Sequence, residues 1–240
     1  MRQRTLTSAL ACILLAGLAI AGCGGTSPGP GATATPTLTP PTLSDGDVFE
    51  YLVTCGNDVT TYTMTVNGSE AIDNVDCYKI DVDMEPPAQR VTIAGNSTLI
   101  SGDMWVSKDT LVLMRKMPVV LVQHPDYGEI TAVTTLNYSY TISAGWPWAV
   151  GGEWACMVDV NSTTGQHYVL NNSVEITSIE DVSVPAGNFS CYRMEQRNQQ
   201  GNVTLIEWYN DDMGLFVKML DYGNYVEPET RELQAYTGSE

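Results

Sequence analysis

From Asp45 onward, apolar and polar residues alternate in short runs rich in Val, Ile, Thr and Tyr, and Gly, Asn, Asp and Pro interrupt the runs. Successive side chains of a strand point to opposite faces, so a period of two marks half-buried strands joined by hairpins. The pattern predicts strands at Val48–Val53, Thr61–Val66, Cys77–Val82, Val91–Ile93, Ile130–Ile142, Trp154–Val160, Tyr168–Ile179, Cys191–Gln196, Val203–Tyr209 and Leu215–Leu220. No helical period stands out beyond the amino terminus. The expected fold class is all-β: an antiparallel, strongly curved sheet of half-barrel or sandwich-like form.

The runs also repeat. Asn74 to Tyr78 with Trp105 to Arg115 lies without a gap on Asn188 to Tyr192 with Trp208 to Lys218, so that Cys77 meets Cys191, Trp105 meets Trp208, Asp109 meets Asp212 and Arg115 meets Lys218. Gly46-Asp47-Val48-Phe49 matches Gly151-Gly152-Glu153-Trp154 as an opening strand, and Leu136-Asn137-Tyr138 matches Leu233 to Tyr236 as a closing strand. These matches predict two tandem copies of a roughly five-strand unit, residues 44–144 and 145–240. One unit alone would expose an apolar face, so the copies are expected to form a single structural body.

The amino terminus adds a location. Arg2 and Arg4 precede an apolar run from Ala9 to Ile20, and Ile20-Ala21-Gly22-Cys23 follows, the layout of a secretory signal. The segment resembles a bacterial lipoprotein signal, residues 1–22, which implies cleavage before Cys23 and lipidation of its sulfur. Residues 23–43 are then the lipidated Cys and a Pro/Thr-rich tether with no charge, unable to bury enough surface to fold and able to reach roughly 60 Å. The membrane, through this amino-terminal lipid, is one expected partner, and the expected localisation is extracytoplasmic and lipid-anchored.

Charge removes a class of partner. The whole chain carries a formal charge of −17, and loss of Arg2 and Arg4 takes it to −19. Such a balance repels phosphates and argues against nucleic acid.

Candidate chemistry is sparse. Outside the cytoplasm, Cys55, Cys77, Cys156 and Cys191 read as disulfides. Of three connectivities, Cys55–Cys77 and Cys156–Cys191 place one bridge in each copy. Zinc is the alternative, but there is no Cys-x-x-Cys and only His124 and His167 are present, so no metal is expected. Asp81, Asp83 and Glu85 alternate and would share a strand face, which fits a solvated surface better than the six or more oxygens of a hard-cation site. No Gly-x-Ser-x-Gly, His-Glu-x-x-His or phosphate loop occurs, and no cofactor is implied. Trp105 and Trp208 stand at the start of hairpins, and Trp146-Pro147-Trp148 lies where proline excludes a central strand. These four indoles are the candidate ligand-contact aromatics, with packing over the sheet as the plainer role.

The order Gly152-Glu153-Trp154, then Val184-Pro185-Ala186-Gly187-Asn188-Phe189-Ser190-Cys191-Tyr192, then Trp208-Tyr209 through Gly214-Leu215-Phe216-Val217-Lys218 resembles envelope proteins related to the periplasmic lipoprotein-carrier half-barrel superfamily. The resemblance implies a curved antiparallel sheet whose concave face shelters acyl chains or packs on an envelope protein partner. The expected function is a non-catalytic binding or envelope-maintenance module. Its first rival is a carrier of lipid or another apolar ligand in a concavity lined by residues such as Leu113, Met114, Leu215 and Val217. Its second is an envelope enzyme using Asp or Glu, which requires two carboxylates converging in one cleft with one pKa raised.

Overall fold

The computed structural model describes residues 42–92, 95–108, 113–124, 128–142, 150–163, 165–222 and 227–238. These form β1 (Val48–Cys55), β2 (Asp58–Ile72), β3 (Val75–Thr92), β4 (Gly95–Ser107), β5 (Leu113–His124), β6 (Gly128–Val133), β7 (Leu136–Ile142), β8 (Glu153–Ser162), β9 (His167–Val184), β10 (Gly187–Asn198), β11 (Val203–Asn210), β12 (Leu215–Asp221) and β13 (Glu229–Thr237). The lipidation candidate Cys23 and the indoles of Trp146 and Trp148 lie outside the described residues.

Local chemistry sets the hairpins. Between β2 and β3 the turn residues Asp73 and Asn74 have φ of 50° and 67°, the left-handed pair that a two-residue type I′ turn needs and that Asp and Asn tolerate. Ile72 therefore faces Val75, and the register set by the turn runs to Ser69 opposite Tyr78, where a bulge shifts it.

All pairings are antiparallel, and the sheet closes on itself. The ladder runs β4-β3-β2-β1-β13-β12-β11-β10-β9-β8-β7-β5, and β5 pairs back to β4. The result is a closed barrel of twelve strands. β6 stands outside the ring, pairing with the distal part of β5 along the line that β7 continues: Val119 meets Val133, and Lys116 meets Leu136. Two junctions in the ring join strands that are not consecutive in the chain, β1 on β13 and β5 on β7.

The alternation that predicted the strands decides which side faces in. In β1, Phe49, Tyr51 and Val53 are buried; in β8, Trp154, Cys156, Val158 and Val160 are buried while Glu153, Ala155 and Met157 are exposed. A twelve-strand ring encloses more space than an eight-strand one, which ordinary side chains just fill. Here large groups take up the width: Tyr62, Tyr138, Tyr209, Phe216, Met84, Met194 and Met219 all join the inner core. The ring is also drawn together at one point, where Ala186 N of the β9–β10 turn donates 3.0 Å to the Leu233 carbonyl of β13.

Three expectations are corrected. The sheet is a closed barrel and not a half-barrel or sandwich, because long-range pairing of the first and last strands leaves no open concave face. The roughly five strands expected per unit are seven before residue 144 and six after it. The Cys55–Cys77 and Cys156–Cys191 bridges are absent, and no disulfide joins any of these four residues. Register explains this. Cys55 pairs with Asp58, and Cys77 with Glu70, twelve positions further along β2, a separation of roughly 35 to 40 Å at strand rise. Cys156 pairs with Asn172 and Cys191 with Glu180 on β9, roughly 25 Å apart. A disulfide needs Cα atoms within about 7 Å. Burial pushes the Cys156 and Cys191 thiols up to about 11, so both behave as inert core residues.

Candidate functional site

Among the described residues, the inner face of the barrel carries five acidic or basic side chains, Lys116, Glu207, Asp221, Glu229 and Arg231, where the pattern of the core calls for apolar ones. Lys116 of β5 lies between Met104 of β4 and Leu136 of β7, and is buried. Across the lumen, Glu207 of β11 faces Met219, Asp221 of β12 faces Glu229 of β13, and Arg231 of β13 lies between Val53 and Met219. Glu229 is fully enclosed at 0% exposure, and Glu207, Asp221 and Arg231 are buried.

Arg231 is the organiser. Its Nε donates to Glu229 Oε1 at 2.7 Å, and its Nη2 lies 2.6 Å from the same oxygen. Its guanidinium also sits 5.5 Å from the centroid of the Tyr62 ring, a cation–π distance. Beside it, the Tyr51 hydroxyl donates 2.8 Å to the Phe216 carbonyl, and burial raises this phenol well above its ordinary value.

Two members carry shifted protons. Burial, with the charge of Arg231 added, pulls the Lys116 ammonium down to about 7, against the opposing pull of Glu229 and Asp221. Burial pushes Glu207 up to about 8; Arg231 opposes the rise and Asp221 adds to it. Glu207 is thus neutral through most of the physiological range, and its Oε1 has no hydrogen-bond partner among the described residues. An uncharged carboxyl is how a buried, poorly partnered acid is tolerated.

Lys116 and Arg231 border a cavity of about 70 Å³ whose other walls are chiefly apolar, including Phe49, Tyr51, Met64, Val82, Met104 and Phe216. Leu43 and the Gly214–Leu215 turn complete its lining, and Leu43 is held by its N–H, which donates 3.2 Å to the Tyr78 hydroxyl. On another wall, a Cβ on Gly102 would stand 3.0 Å from the Met117 carbonyl oxygen, so glycine lets β5 cross close there. Glu207, Asp221 and Glu229 are not among the residues that line this space.

The residues singled out from the sequence go elsewhere. Trp105 and Trp208 lie on the outer face in matching surroundings. Trp105 pairs with Lys79 and Arg115, and Trp208 with Arg193 and Lys218. The Arg115 guanidinium is 5.8 Å from the Trp105 ring; Arg193 and Lys218 are 6.0 and 5.8 Å from the Trp208 ring. Trp105 Nε1 donates 2.7 Å to Glu70, and Trp208 Nε1 donates to Glu180. Neither indole reaches the cavity. Trp105 is buried with Ile72 and Cys77 in a small outer cluster onto which Met114 packs; Leu113 and Val217 are fully buried in the main core. Of the proposed carrier-lining residues, only Leu215 touches the cavity. Asp81, Asp83 and Glu85 point outward, and Asp81 is held by Lys79 at 3.1 Å and by the Asn67 amide at 2.6 Å. Among the described residues no group of three His, Cys, Asp or Glu is placed to hold a metal.

Lys116, Glu207, Asp221, Glu229 and Arg231 escaped the sequence reading. One signal was available for Glu207, a lone acid inside Leu205-Ile206-Glu207-Trp208-Tyr209. Lys116 stands with Arg115 in the otherwise apolar run Leu113 to Val122, and nothing in the run says which of the two faces inward.

No protein-family model matches the sequence, and no curated protein matches it either. Among solved structures, a candidate lipoprotein from Parabacteroides distasonis ATCC 8503 is similar over 85% of this chain and 100% of its own, at 14% identity and a TM-score of 0.40. A candidate exported protein with a YmcC-like fold from Bacteroides fragilis NCTC 9343 is similar over 84% and 100%, at 12% identity and a TM-score of 0.41. Both scores fall below 0.5.

Proposed function

We propose that this chain is a lipid-tethered, extracytoplasmic barrel that binds a small molecule in its interior without catalysing a reaction. The observation that carries the reading is the apolar cavity with Lys116 and Arg231 in its wall. A few polar groups set in an otherwise apolar hollow are the usual composition of a ligand site. The tether is read from Ile20-Ala21-Gly22-Cys23 and the uncharged segment that follows.

The orientation of the barrel supports a body standing in water. Its interior is chiefly apolar, while β3 turns Asp83 and Glu85 outward and β8 exposes Glu153. A membrane-spanning barrel has the opposite arrangement, an apolar outer band. The carrier of long acyl chains is disfavoured by size: a hollow of about 70 Å³ is about half the engineered cavity of about 150 Å³ that accepts one benzene. Glu207 and Asp221 meet part of the condition set for an acid–base enzyme, since one pKa is raised beside a second carboxylate. They stand behind the cavity wall, out of reach of a substrate within it. We also read the barrel as a duplicated unit, with Lys79–Trp105–Arg115 and Arg193–Trp208–Lys218 as its matching outer ladders.

Two experiments test the reading. Cys23→Ser is expected to move the protein from the detergent-rich to the aqueous phase on partition, and equal partition of both forms would remove the anchor. Xenon under pressure is expected to shift the methyl resonances of Met104 and Val82 saturably. Methyl signals that ignore xenon would remove the internal site.

A further inference from the structure

We propose that Lys116 is a covalent receptor for small neutral carbonyl compounds, which enter the barrel cavity and are held on its Nζ as a reversible imine. The inference rests on the internal binding site proposed above and names the ligand class that this site fits.

Position comes first. Lys116 is a primary amine enclosed by the barrel and set in the wall of an apolar hollow. The other lysines are differently placed. Lys79 and Lys218 lie on the outer face and are ion-paired with Asp81 at 3.1 Å and Glu232 at 2.6 Å, and Lys108 lies 5.3 Å over the Tyr78 ring. Desolvation leaves a large share of the Lys116 amine uncharged near neutral pH, which is the form that attacks a carbonyl.

Charge then selects the ligand. The groups acting on Lys116 are Arg231 and Glu229 of β13 and Asp221 of β12. Arg231 already holds Glu229. An incoming carboxylate would have to be desolvated and would add a negative charge to an interior that already contains Asp221 and Glu229. A neutral carbonyl adds none. Size narrows the class further, since about 70 Å³ suits a molecule of roughly three or four heavy atoms on the scale of the benzene-sized cavity.

The chemistry balances with these components alone. The Nζ lone pair forms a bond to the carbonyl carbon, and one amine proton passes to the carbonyl oxygen, giving a carbinolamine. The hydroxyl then leaves with the second amine proton as water while the carbon–nitrogen double bond forms. No oxidant or reductant is required, and hydrolysis reverses the capture.

The test uses propanal with cyanoborohydride, which reduces an imine to a stable secondary amine, on the whole exported protein between pH 5.5 and 9. Peptide mapping is expected to show propylation of Lys116 at pH 7 at least about tenfold faster than at Lys79, Lys108 or Lys218. Unfolding in urea is expected to abolish that preference, and Lys116→Arg to remove the fast site. Labelling confined to the other lysines, or a Lys116 rate no greater than theirs, overturns the inference. If xenon enters while Lys116 stays unlabelled, the carbonyl chemistry is wrong and the cavity stands. If xenon is also excluded, the binding reading falls with it.

Discussion

Replacing Arg231 with Met destabilises the barrel by about 3 to 5 kcal/mol, the usual cost of breaking a buried ion pair by removing one partner. The loss comes from what stays behind. Glu229 is fully enclosed and has its Oε1 held by two Arg231 nitrogens, so in Arg231→Met that carboxyl loses its charged donor while still out of water. Tyr62 also loses the cation over its ring. The double variant Arg231→Met with Glu229→Met removes both charges and keeps apolar volume, and such exchanges are often neutral or stabilising. Urea unfolding of the two single variants and the double one therefore gives a strongly non-additive cycle. A single-variant loss below about 1 kcal/mol, typical of an exposed pair, would mean that Arg231 and Glu229 face solvent.

Stability passes through a minimum near pH 7 to 8, with limbs set by Glu207 and Lys116. Glu207 has a raised folded pKa, about 8 against an ordinary 4.5. The folded state holds a proton that the unfolded chain has released, so stability falls as pH rises through that window. Lys116 has a lowered folded pKa, about 7 against 10.5. There the unfolded chain binds the extra proton, so stability rises with pH from about 7 to 10.5. Each group contributes a slope of a little over 1 kcal/mol per pH unit where it acts. Glu207→Gln, which mimics the neutral acid, is expected to flatten the fall between pH 5 and 8 and to raise stability at pH 7.5 by several kcal/mol. Lys116→Met flattens the rise above pH 8. Differences between variant and wild type cancel the repulsion of a surface with a net charge of −17. Variant profiles parallel to the wild type across both windows would place these groups in water.

The strands were legible because their chemistry is local. Phe49, Tyr51 and Val53 alternate with Glu50 and Leu52, and the same period of two shows which side of β1 is buried. Trp105 and Trp208, aligned from sequence, do acquire matching ladder neighbours. Closure was not legible. The pairing of Val48 with Thr237 spans most of the chain, and nothing in a run of alternating residues says how many strands complete a ring. The cysteines failed for a related reason: spacing in sequence suggested a bridge per unit, but the long strands β2 and β9 carry the partners apart. The buried charges were hidden by their neighbours. Glu207 sits among apolar residues on both sides of its strand, so polarity gave no face; its inward position follows from its pairing with the inward-facing Met194 and Met219 of the neighbouring strands.

The closed, charge-bearing interior is tested most directly by the ¹³Cε resonances of the four lysines, Lys79, Lys108, Lys116 and Lys218, followed from pH 5 to 10 and assigned by Lys116→Arg. One signal, that of Lys116, is expected to titrate with a midpoint near pH 7, as an amine enclosed beside Arg231 must. A Lys116 signal that does not move below pH 9 would contradict the account, because such a lysine stands in water and the interior it was assigned to is open.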